Sequence, residues 1–161
     1  MKIKTAVIDL DGCLTDGRQY ITEDGTKMCK TFNSRDRMAI RRILSSGVNV
    51  LVVSADDWPG GKEWVESIEG DNGRKSEFWH TRQKHELPLD WETCIGIGDD
   101  IDDELFLEKC SRSFCPQDAD PRLGMLPTVR LPIAGGQGVM CYLEAEIQLL
   151  NENIVTHALY Y

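Results

Sequence analysis

The sequence predicts an α/β domain of three layers, with a central, mostly parallel sheet between two layers of helices. Three observations predict it. Short β-rich apolar runs alternate with segments of helical length and period, the pattern of βαβ units. Three of those runs end on polar residues, as strands do where their carboxyl ends open onto a ligand crevice. The chain has 161 residues, enough for one core and short for two ordinary domains.

The elements follow in order. Ile3 to Ile8 reads as a strand that stops at Asp9. Gln19 to Thr22 and Lys27 to Phe32 flank the turn Glu23-Asp24-Gly25, a β-hairpin inserted after the first strand over about residues 18–32. Met38, Ala39, Ile40, Ile43 and Leu44 share one helix face, and Gly47 stops that helix. Val48 to Val53 is a buried strand ending at Ser54. Pro59 opens a helix carrying Trp64, Val65 and Ile68, and a short helix includes Lys84 and Leu87. Thr93 to Ile97 is a further strand, followed by a helix over Ile101 to Glu108 with Leu105 and Phe106 inward. Thr128 to Leu131 is a late strand and Val139 to Leu150 a terminal helix. The domain is expected over 1–150, with a tail over 151–161 and no room for a large cap.

Composition excludes several functions. The formal net charge is −9, which opposes tight non-specific binding to nucleic acid. No apolar run is long enough to span a membrane, and the first one breaks at Asp9, so no signal peptide is expected. Six scattered cysteines without paired spacing point to free thiols in the cytoplasm.

Chemistry concentrates in two acidic turns. In Asp9-Leu10-Asp11-Gly12, two carboxylates directly follow a strand, and holding them together calls for a shared cation. Gly12 allows the tight turn that brings backbone to a ligand. In Asp99-Asp100-Ile101-Asp102-Asp103, four of five positions are acidic after a buried strand. A favourable helix dipole accounts for one or two of them, not four. Ser54 places a hydroxyl at a third strand end, and Lys84 offers a cation, with Lys75 as its rival.

These runs resemble the motifs of the haloacid dehalogenase superfamily, whose fold is Rossmann-like. The resemblance implies that Asp9 is a phosphate-accepting nucleophile and Asp11 the general acid and base. It implies that Ser54 and Lys84 hold the phosphoryl group, that Asp100 supports the site and that Asp103 holds the lysine. Mg²⁺ is implied as cofactor, with Asp9, Asp99 and the backbone carbonyl of Asp11 as ligands. Further runs resemble the 3-deoxy-manno-octulosonate 8-phosphate phosphatase family: Leu14-Thr15-Asp16-Gly17-Arg18, Phe32-Asn33-Ser34-Arg35-Asp36, Gln117-Asp118-Ala119-Asp120-Pro121 and Gly135-Gly136-Gln137-Gly138. That likeness implies a small keto-sugar acid phosphate as substrate, related nine-carbon acids included. It also implies a homotetramer in which the hairpin closes a neighbour's site, and Arg35 as a carboxylate binder. The chain departs from the pattern at Ala55-Asp56, where Gly-Arg is usual, at Arg37, where Gly is usual, and at Val139-Met140-Cys141-Tyr142. Three other readings use the same residues: a phosphoacceptor signalling receiver, a non-catalytic binding module on the same fold, and a nucleotide or polynucleotide 3′-phosphatase.

Overall fold

The structure, a computed structural model, describes residues 2–152, so the expected tail lies outside the described residues from 153 onward. Strand β1 (Thr5–Asp9) is followed by a sharp turn and the hairpin β2 (Tyr20–Ile21) and β3 (Lys27–Cys29). Then come α1 (Ser34–Ser45), β4 (Asn49–Ser54), α2 (Pro59–Glu66), β5 (Glu77–His80), β6 (Cys94–Ile97), α3 (Glu104–Lys109), β7 (Arg112–Cys115), β8 (Val129–Arg130) and α4 (Val139–Asn151). Six strands form one sheet in the order β5-β4-β1-β6-β7-β8, and every pairing is parallel.

Period-two alternation divides the core into two layers. Ala6, Ile8 and Val52 face one side, where they meet Ile40 and Ile43 of α1 and Leu143 of α4. Val7, Leu51 and Val53 face the other, against Phe106 and Leu107 of α3. Phe106 is fully buried, worth about 2–3 kcal/mol of apolar transfer. Local chemistry sets the helix limits. The Asn33 side chain accepts from Arg35 N to start α1, and Gly47 takes φ +91° just past its end. Pro59 begins α2 at a position needing no amide donor.

Several expectations are corrected. Met38 and Leu105 point outward, 45% and 52% exposed, because each lies at the margin of its helix's apolar stripe. The helix expected from Ile101 begins as a 3₁₀ turn, Ile101–Asp103, before α3, and the short helix at Lys84 is one 3₁₀ turn, Lys84–Glu86. Thr93 sits in a 3₁₀ turn, so β6 starts at Cys94. Ile68 lies beyond α2 yet is buried. Strands β5 and β7 were not foreseen. The edge strand β5 buries little, and β7 carries Arg112 and Ser113, whose hydroxyl pairs with that of Thr128 at 2.9 Å.

Candidate active site

The order β4-β1-β6 puts the carboxyl ends carrying Ser54, Asp9 and Asp99 side by side. They open onto one cleft of about 670 Å³ lined by eight aspartates and three cationic side chains, with Ser54 and the hairpin's Gln19 and Lys27 in its wall.

The two acidic turns meet at Gly12. Its φ of +89° lets the chain reverse after Asp9, and a Cβ built there would lie 1.9 Å from Asp99 Oδ2. No other residue type fits. The late glycine loop braces this turn from behind. Gly136 N donates to Cys13 O at 2.8 Å, and a Cβ on Gly135 would lie 1.8 Å from Gly12 O.

Lys84 lies between two carboxylates, with its Nζ 2.5 Å from both Asp9 Oδ1 and Asp103 Oδ1. All three residues are buried. Burial opposes the ammonium charge, but Asp9 and Asp103 outweigh it and hold Lys84 charged beyond the ordinary lysine range. Burial also raises Asp9 well above the usual carboxylate range, and Asp103 and Asp99 add to the effect. Asp99 is pushed up to about 7 by burial and by Asp103. Asp103 Oδ2 accepts from the backbone amides of Asp99 and Asp100 at 3.0 and 3.3 Å, so one carboxylate orients both the lysine and the second acidic turn.

The remaining expected residues divide. Ser54 is buried, and its Oγ accepts from Asp56 N at 3.0 Å. Asp100 is exposed in the cleft wall and caps the 3₁₀ turn by accepting from Ile101 N at 2.6 Å. Asp102 is exposed. Lys75 pairs with Glu69 at 3.6 Å, 63% exposed and outside the cleft lining, which leaves Lys84 as the lysine beside Asp9. Arg35 is exposed on the first turn of α1 and does not line the cleft of its own chain. Arg37 is engaged elsewhere, bonded to Ser67 Oγ and O at 2.9 Å, so it ties α1 to the end of α2.

Sequence reasoning missed a clasp over Asp11. Lys30 Nζ donates to both Asp11 oxygens, at 2.6 and 2.7 Å, and to Asp56 Oδ2 at 2.6 Å. Lys27 pairs with the same Asp56 oxygen. Burial pushes the Asp56 carboxyl up, but the hydrogen bonds and charges of the two lysines together outweigh it and hold the group down at about 2. A lysine in a short hairpin reads as solvated, and nothing local marks Lys30 as buried. The one signal on offer is Asp56, at a position where the family resemblance implies arginine.

Asp9, Cys13 and Asp99 bring ligand atoms within 4.8 Å of one another. Burial and the nearby aspartates raise the Cys13 thiol, which keeps it protonated, so the donors on offer are carboxylate oxygens. Three buried or half-buried carboxylates share the single charge of Lys84. That deficit of positive charge, with hard oxygen donors, fits a divalent cation of the magnesium type.

No protein-family model matches the chain. It is 29% identical over 144 residues to the 3-deoxy-D-manno-octulosonate 8-phosphate phosphatase of Salmonella typhi, covering 86% of this chain and 75% of that one. A probable YrbI-family phosphatase of Pseudomonas syringae superposes with a TM-score of 0.79 at 26% identity, over 95% of this chain and 88% of that one. The 3-deoxy-D-manno-octulosonate 8-phosphate phosphatase of Moraxella catarrhalis superposes with a TM-score of 0.82 at 18% identity, over 94% and 89%. Fold, cleft and sequence likeness together mark this chain as a phosphatase, and its motifs are similar to those of the haloacid dehalogenase superfamily. It resembles the 3-deoxy-D-manno-octulosonate 8-phosphate phosphatases, and the described residues hold a small hairpin in place of a large cap.

Proposed function

We propose that the chain hydrolyses a small phosphorylated keto-sugar acid through an aspartyl-phosphate on Asp9. One observation carries this reading: Asp9 sits in a buried triad with Lys84 and Asp103, at the point where the Asp99 turn closes on it. An Asp9 oxygen attacks phosphorus, and the bond from phosphorus to the ester oxygen breaks. Asp11 gives its proton to the departing alkoxide, then takes one from the water that cleaves the aspartyl-phosphate, which restores both carboxyl groups. Lys84 and Ser54 hold the phosphoryl oxygens, and Asp103 keeps Lys84 in place. Asp9 and Asp99, with the Asp11 backbone carbonyl, would hold Mg²⁺, which when bound neutralises the charge gathered on the phosphoryl oxygens. Support for the cation comes from the carboxylate excess and from the Moraxella catarrhalis phosphatase, whose structure holds magnesium, phosphate and the keto-sugar acid.

Phosphate release from 3-deoxy-D-manno-octulosonate 8-phosphate, a nine-carbon 9-phosphate and nucleotides, with and without Mg²⁺, tests the reading. The keto-sugar acid esters are expected to be hydrolysed only with the cation and not by Asp9→Asn. Release that survives chelation, or survives Asp9→Asn, contradicts it. The same reading takes the chain to be a homotetramer. Tyr20, Ile21 and Met28 of the hairpin are 56%, 59% and 63% exposed, an apolar surface that a neighbouring subunit would cover. Sedimentation at a monomer's mass overturns that part alone.

A further inference from the structure

Four cationic side chains stand in or beside the cleft, and three are committed. Lys84 is held by Asp9 and Asp103, Lys30 by Asp11 and Asp56, and Lys27 by Asp56. The fourth, Arg82, lines the cleft, and its guanidinium makes no hydrogen bond or ion pair with any described residue. Its backbone is anchored on both sides. Thr81 N donates to Ser54 O at 2.9 Å, Gln83 N donates to Thr81 Oγ1 at 3.0 Å, and Lys84 follows. The neighbouring loop after β4 contributes Ala55, Asp56 and Asp57 to the cleft wall, so it supplies no cation there.

A phosphorylated keto-sugar acid brings two anionic groups into a cleft dominated by carboxylates. The phosphoryl end has Lys84 and a cation to receive it. The carboxylate end needs its own donor, and a planar guanidinium matches a carboxylate with two parallel hydrogen bonds. We propose that Arg82 binds the substrate carboxylate and thereby sets the preference for sugar acids over neutral sugars. This rests on the phosphatase reading above. It moves the carboxylate contact from Arg35, outside the cleft, to a residue in its wall.

Two measurements test it. Calorimetry with free 3-deoxy-D-manno-octulosonate needs no turnover. Arg82→Gln is expected to weaken binding about tenfold or more, Arg82→Lys to restore part of it, and Arg35→Gln to leave it within about twofold. Kinetics with the 8-phosphate and with ribose 5-phosphate give a selectivity ratio of kcat/KM, expected to fall about tenfold in Arg82→Gln. Equal losses on both esters assign Arg82 to the phosphoryl group and overturn the proposal. So does unchanged acid binding in Arg82→Gln, a loss confined to Arg35→Gln, or a wild-type chain that does not bind the acid. If the wild-type chain cleaves neither ester, the phosphatase reading fails, and calorimetry still decides the role of Arg82.

Discussion

At the residue scale, burial of Asp9 works against the charge its chemistry requires. The side chain is 7% exposed and has Asp103 and Asp99 nearby, and Lys84 offsets burial and those charges only in part. Removing the lysine strands two buried carboxylates without a cation, whereas removing Asp9 leaves the Lys84–Asp103 pair intact. Lys84→Met is therefore expected to lose turnover and about 3 kcal/mol of stability in urea unfolding. Asp9→Asn is expected to lose turnover by about a thousandfold or more while keeping its stability. Equal destabilisation by both variants contradicts the arrangement. Gly12→Ala is a second test, because its methyl group meets Asp99 and its φ is +89°. It is expected to abolish activity and destabilise the fold by about 1–3 kcal/mol, and near-normal turnover counts against the close meeting of the two turns.

At the element scale, Asp36 joins α1 to α4. Its Oδ1 accepts from Met140 N at 2.8 Å, and Oδ2 has no hydrogen-bond partner among the described residues. Burial raises its pKa to about 6, against the opposing backbone hydrogen bonds of Met140 and Gly138. A carboxyl raised on folding binds more protons in the folded chain than in the unfolded one. Stability therefore falls as pH rises from about 4 to about 6, by about 3 kcal/mol at most, and the penalty is complete above that window. Asp36→Asn is expected to lose this slope in urea unfolding between pH 4 and 7. An unchanged slope removes Asp36 as its source. This element also shows where sequence reading succeeds and stops. Ala39, Ile40, Ile43 and Leu44 announce α1 through period and sit in the core, and Asp9, Asp99 and Ser54 announce the site because strand ends in a parallel sheet converge. Strand β5 buries too little to register, and Lys30 reaches Asp11 only through the path of the hairpin, which no local pattern encodes.

At the scale of the whole molecule, a net charge of −9 repels anionic substrate before it reaches the cleft. Raising ionic strength from about 0.01 M to 0.1 M shortens the screening length from about 30 to 10 Å, so kcat/KM for the phosphate ester is expected to rise. A fall shows that the local field of Arg82 and the bound cation dominates the approach. The parallel sheet accounts for the rest of the function by placing β1 and β6 next to each other, which brings residues ninety positions apart in the chain into one site. Anomalous diffraction from crystals soaked in Mn²⁺ tests that juxtaposition most directly. One strong peak is expected, bonded to carboxylate oxygens of both Asp9 and Asp99. A peak held instead by Asp100 and Asp102 at the rim, or no peak at Asp9, contradicts it.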